Sequence, residues 1–244
     1  MLEYKHMYFE SRIRAGEKLA FELYESYRYD NCAVVALSDG GVIIGEQIAA
    51  WLHCVLTMLL VEDINVPGEN ISFGSVSESG AFSFNSEFSS GEIDEYKTEY
   101  RGYLEDQKRE AFSRINRLLG DGGLISHDML RDRTVILVND GFYNTVLIDA
   151  AIDFLKPIRI ARLVIVAPVA SAAAIDRLHV AADELHILDV KGNYISTNHY
   201  YDENTIPSHE DTIEKINKII LNWRWPMYSK KCRIKINSGN VFGK

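Results

Sequence analysis

The sequence has little sulfur, no long apolar run and no stripe of positive charge, and each shortage closes off a class of protein. Cysteine occurs three times, at Cys32, Cys54 and Cys232, widely spaced and without a CxxC pair. That odd, scattered set does not make a disulfide framework. Cys32 and Cys54 sit in apolar surroundings and read as buried free thiols, which fits a reducing, cytoplasmic setting. The apolar run over 49–61 is interrupted by His53 and Cys54 and is too short to span a bilayer, so no membrane partner is expected. The opening stretch MLEYKHMYFESRIRAGEK lacks the apolar centre of a secretion signal.

Positive charge is also scarce. The formal net charge is −9, and cations gather only in Lys230-Lys231-Cys232-Arg233-Ile234-Lys235. There they alternate with Cys232 and Ile234, as in a half-exposed strand, and no nucleic-acid partner is expected. Catalytic signatures are missing as well. The seven histidines never fall three or four residues apart, and no GxSxG, Walker A or GxGxxG occurs. No set of metal ligands is therefore read from the spacing.

What is present is enough apolar material, 47% of 244 residues, to build one α/β domain with a substantial core. Apolar spacing predicts a helix over 9–27, a buried strand over 32–37, a helix over 42–52 and a further apolar run over 56–61. Segments 71–76 and 81–85, parted by Glu78-Ser79-Gly80, read as a hairpin. From 90 to 119 the chain is charged and helical throughout, a long exposed helix or arm, broken by Gly120-Asp121-Gly122-Gly123. Strands over 134–138, 162–169 and 184–190 then alternate with helices over 145–155 and 170–182. Ser208-His209-Glu210-Asp211 has capping-box spacing and opens a last helix to about 223. Alternation of this kind predicts a doubly wound, mainly parallel sheet. The expected organisation is one domain over 1–222, with a hood or arm at about 65–123, followed by a tail over 223–244.

Parallel sheets place ligands beyond the carboxyl ends of their strands, where helix N-termini favour anions. Two junctions of that type stand out. They are Ser38-Asp39-Gly40-Gly41 and Asn139-Asp140-Gly141-Phe142-Tyr143-Asn144-Thr145-Val146, and either also suits an ordinary turn. The cluster Tyr194, His199, Tyr200 and Tyr201 suits stacking on a planar base or plain apolar packing.

The segments VILVNDGFYNTVLIDAA, AVVALSDGGVIIGEQIA and APVASAAAIDRLHVAADELHIL together resemble the type I phosphoribosyltransferases, over about 9–221. The resemblance implies that fold, with a small hood. It implies that Asn139 and Asp140 steady a ribose, and that residues 141–146 with Ser38, Asp39, Gly40 and Gly41 hold phosphate and pyrophosphate. Mg²⁺ would assist an active enzyme, and the ligand would be a small phosphorylated or nucleotide-like molecule. The departures matter equally. The family's Thr-Gly-x-Thr stands here as Asn144, Thr145, Val146 and Leu147, so the glycine of close approach is gone. An expected Arg is Asp39, and an expected Arg-Lys is Glu62-Asp63. Acids at those places repel phosphoribosyl pyrophosphate, unless Mg²⁺ bridges Asp39, Glu62, Asp63 and Asp140. The arm residues Lys108, Arg109 and Arg114 would reach an anion or pair with nearby acids. The expectation is a diverged protein, weak or inactive as a transferase, that keeps a ligand cleft. The alternatives are an active Mg²⁺-dependent transferase and a protein-interaction module.

Overall fold

Ser11 accepts a hydrogen bond from the Arg14 N–H and opens α1 (Arg12–Tyr27), whose buried face of Ala15, Leu19, Ala20 and Leu23 repeats at helical spacing. The computed structural model describes residues 8–69, 71–119 and 125–222. β1 (Cys32–Ala36) follows, buried along its whole length. Ser38 then caps α2 (Asp39–Leu52) through the Gly41 N–H. The helix thus starts three residues earlier than the apolar spacing suggested, and Asp39-Gly40-Gly41 is its first turn rather than a loop.

The apolar run read as one segment is divided. β2 (Val55–Met58) belongs to the main sheet, and the chain then crosses to β3 (Val61–Asn65) in a second sheet. The expected hairpin forms as β4 (Ser72–Ser77) and β5 (Phe82–Phe84), which β3 extends into a three-stranded antiparallel hood. The charged stretch is two helices, α3 (Ser90–Glu99) and α4 (Arg101–Leu119), in place of one exposed arm. α4 buries Leu104, Ala111 and Ile115 and packs on β3 and β4. The glycine break at 120–123 and the tail lie outside the described residues.

A short turn of helix, α5 (His127–Leu130), leads to β6 (Thr134–Val138), α6 (Val146–Leu155), β7 (Arg162–Ser171), α7 (Ala172–Ala181), β8 (Glu184–Lys191) and α8 (His209–Asn222). β7 runs two residues further than expected, because Phe142 forms a bridge to Ala170 and keeps the strand paired. Ser208 accepts from the Asp211 N–H and opens α8 as its spacing predicted. The five main strands are all parallel, in the order β2-β1-β6-β7-β8. Right-handed crossovers send α2 to one face and α6 and α7 to the other, the expected doubly wound arrangement. Strand order reverses between β1 and β6, so the switch point lies where β1 and β6 end. Cys32 and Cys54 are buried free thiols, pushed by desolvation to about 11 and about 12, which keeps them protonated and unreactive. Among the described residues no helix is long and apolar enough to cross a membrane.

Candidate functional site

Ala36 and Val138 are partners at the ends of β1 and β6, so Ser38 meets Asn139 and Asp140 across the switch point. The Ser38 hydroxyl lies 2.5 Å from Asn139 Oδ1 and 2.9 Å from Asp140 Oδ1. Asn139 turns its Nδ2 inward to the Gly141 carbonyl at 2.8 Å. The other Asp140 oxygen, Oδ2, accepts from Arg12 Nε at 2.8 Å. Both residues proposed to steady a ribose are buried, with their polar atoms already bonded within the protein.

Arg12 was not legible as a site residue. It is 2% exposed, yet its cation is well partnered. Besides Asp140, it donates through Nη2 to Asn198 Oδ1 at 2.6 Å, and its guanidinium lies 4.4 Å over the Tyr201 ring. The Tyr201 hydroxyl donates to the Asp140 carbonyl at 2.5 Å. Burial and the Asp140 charge push the Tyr201 phenol well up, so it stays a donor. One buried pair thus ties α1, the β6 loop and the segment before α8 together. Tyr200 and Tyr201 serve packing, as one of the two readings of the aromatic cluster had it.

The rest of the β6 loop is largely filled. Phe142 is a core side chain, its N–H donating to Val169 and its carbonyl accepting from Ser171, so it offers a ligand nothing. A Cβ on Gly141 would stand 2.3 Å from the Tyr194 hydroxyl, and one on Gly40 would stand 2.1 Å from Asp140 Oδ2. These glycines permit close packing of the protein on itself. Gly41 and Val146 are buried as well. Thr145, at the lost glycine position, places its hydroxyl 3.1 Å from both Ser86 Oγ and Asp149 Oδ2. Asp149 is held in turn by Arg177, with Nη2 to Oδ1 at 2.7 Å.

Open space lies to either side of this plug. A cleft of about 740 Å³ lies over the ends of β7 and β8, between them and the hood. From the β6 loop only Tyr143 and Asn144 reach it. Ser171 caps α7 and accepts from the Ala174 N–H, while its hydroxyl donates to the Tyr143 carbonyl and fixes that residue on the rim. Asn193 and Tyr194 close the far side, and Asp63, Asn65, Asn85 and Glu87 come from the hood. The hood residues depend on where the second sheet sits. Gly192 and Asn193, by contrast, follow the same strand-end rule as the other loops and were overlooked, whereas Tyr194 was read within the aromatic cluster.

A second cleft, of about 480 Å³, lies over β1 and β2 and takes in Ser38, Asp39, Glu62, Arg114, Arg117 and His209. Two pairs of its ionisable side chains meet within the protein. His209 Nδ1 is 2.8 Å from Asp39, a contact that raises the His209 pKa, and Arg114 lies 3.3 Å from Glu62. Lys108 and Arg109 pair on the α4 surface with Glu105 and Asp106.

Asp63 borders both clefts. Asp63 is exposed to solvent, and desolvation by the atoms around it, with the charge of Glu62, raises its pKa to about 6. The Mg²⁺ donor set expected from Asp39, Glu62, Asp63 and Asp140 is not assembled. Glu62 and Asp140 each face an arginine and Asp39 faces the His209 imidazole, and no group of three or more ligating side chains gathers among the described residues.

No family model matches the chain. Its structure is similar to that of TT1426 from Thermus thermophilus, with a TM-score of 0.67 and 24% identity over 89% of this chain and 99% of that one. The purine phosphoribosyltransferase from Pyrococcus horikoshii matches at a TM-score of 0.43 and 14% identity, over 81% of this chain and 91% of its own. A hypoxanthine phosphoribosyltransferase from Staphylococcus aureus matches at 0.45 and 11%, over 75% and 76%. The likeness to TT1426 shows a shared fold over nearly the whole of both chains. At these identities the likeness concerns architecture alone, a parallel sheet with its switch point under a small hood. Function has to be argued from the side chains on that scaffold.

Proposed function

We propose that this phosphoribosyltransferase-like chain is a binding protein, without effective transferase activity, whose ligand enters the cleft between the sheet and the hood. The state of Asp140 carries this reading. A carboxylate that steadies a ribose must face the ligand, and this one is buried against Arg12 and Ser38. Freeing it would strand the buried guanidinium, at a cost of about 3–5 kcal/mol for an unpaired buried charge.

Charge supports the same conclusion. At ~4 Å and an effective dielectric of about 20, each phosphate–carboxylate pair costs about 4 kcal/mol. The N-terminus of α7 offers an anion only about 0.3–1 kcal/mol in return. The decisive measurement is calorimetric titration of the full chain with phosphoribosyl pyrophosphate and Mg²⁺. The expected result is no metal-dependent binding and no pyrophosphate release with added bases. Tight, Mg²⁺-dependent binding would establish the transferase reading instead.

A further inference from the structure

The 740 Å³ cleft has a lining that selects a ligand class, an inference that rests on the binding-protein reading above. Its volume is that of an ordinary small-molecule site. Among the described residues the only charged side chains lining it are Asp63 and Glu87, and neither forms an ion pair there. Around them stand the amides of Asn65, Asn144 and Asn193. Asn144 uses its Oδ1 on the Val146 N–H and keeps its amide donors. On the rim, the Tyr143 ring is 62% exposed and lies 5.8 Å from the Tyr194 ring at 47°.

We propose that this cleft takes an unphosphorylated, polyhydroxylated ring compound, a free sugar or amino sugar. Such rings pair an apolar C–H face with a rim of hydroxyls. A carboxylate accepts from two neighbouring hydroxyls at once, in short charge-assisted bonds, and amides both give and accept. The tyrosines supply a flat apolar surface with polar edges for the ring face. An ammonium substituent gains further from the two carboxylates, from the tyrosine faces and from the net charge of −9. Ala172 and Ala173 of the first turn of α7 also line the cleft, and the N–H groups of a first helical turn are free to donate to hydroxyl oxygens. Without a cation beside them, they do not offset two carboxylates facing a phosphate.

The test uses the full chain at low ionic strength, with saturation-transfer NMR and calorimetry. The probes are D-glucosamine, D-glucose and D-glucose 6-phosphate. Glucosamine is expected to bind about 10-fold or more tightly than the phosphate ester, with glucose between them. Tyr143→Ala should weaken sugar binding about 10-fold with an unchanged unfolding midpoint, because that ring is exposed. Asp63→Asn should bring glucosamine to within about 2-fold of glucose. The proposal is overturned if the phosphate ester binds more tightly than glucose. It is equally overturned if neither unphosphorylated sugar binds at about 10 mM, or if Tyr143→Ala changes nothing. Phosphoribosyl pyrophosphate with Mg²⁺, titrated into the same sample, separates the two readings. Its binding removes the binding-protein reading, whereas silence from it and from the sugars removes the ligand class alone.

Discussion

The junction of β1 with β6 and the cleft over β7 and β8 are built alike, from strand ends, short loops and helix N-termini, yet one is full and the other open. At the first, Arg12, Ser38, Asn139 and Asp140 satisfy one another and glycines bring the backbones together. At the second, Tyr143, Asn144, Asn193 and Tyr194 leave a cleft under the hood. The same architecture therefore serves cohesion in one place and leaves open space in the other. What separates them is whether the side chains at the strand ends bond to one another across the gap between loops.

That contrast can be broken from the full side. The largest effect is expected from Arg12→Met, which leaves Asp140 buried without its cation and should cost about 3–5 kcal/mol in denaturant unfolding. Adding Asp140→Asn removes the stranded charge and should restore about half of the loss, a coupling that a double-mutant cycle measures. Gly40→Ala comes next. Its methyl group would stand 2.1 Å from Asp140 Oδ2 and 2.8 Å from Arg12 Nε, and the strain should cost about 1–3 kcal/mol in the same assay.

Smaller effects sharpen the comparison through pH. Glu78 in the hood is largely desolvated, its Oε2 has no partner, and its pKa is raised to about 7. The folded state therefore holds this proton more firmly than the unfolded chain does. Stability should fall as pH rises from about 4.5 to 7, and Glu78→Gln should flatten that slope and gain about 1 kcal/mol at pH 8. His209 behaves in the opposite sense to an acid stabilised as its anion. Its pKa is raised by the bond to Asp39, so the contribution is full below the unfolded value of about 6.5 and disappears as pH climbs through the folded one. His209→Gln should remove about 0.5 kcal/mol at pH 5.5 and little at pH 9, read from thermal midpoints.

The main sheet was legible because buried parallel strands are short continuous apolar runs, and β1, β6, β7 and β8 stand where those runs are. β3 was hidden because the apolar run of Val55–Met58 continues to Val61, its first residue, while Glu62, Asp63 and Asn65 mask the rest, and no glycine or proline stands where the chain changes sheets. Of the site, the β6 loop was legible as a strand–loop–helix junction. Its occupation was not, since the Arg12–Asp140 bond spans 128 residues of sequence. The hood residues Asn65, Asn85 and Glu87 were hidden for a related reason, since only sheet packing brings them, with Asp63, to the ends of β7 and β8.

By itself the sequence determined the alternation of strands and helices, the cap at Ser208, and a threonine, Thr145, where the resemblance expects glycine. Each of these depends on backbone preferences and hydrogen bonds within a few residues. Only the tertiary structure decided that Asp140 would be neutralised, that Tyr194 would cover Gly141, and that open space would remain beneath the hood. Those outcomes depend on which distant side chains share a desolvated volume. There a charge must find a partner, and any space that packing leaves unfilled stays available to a ligand.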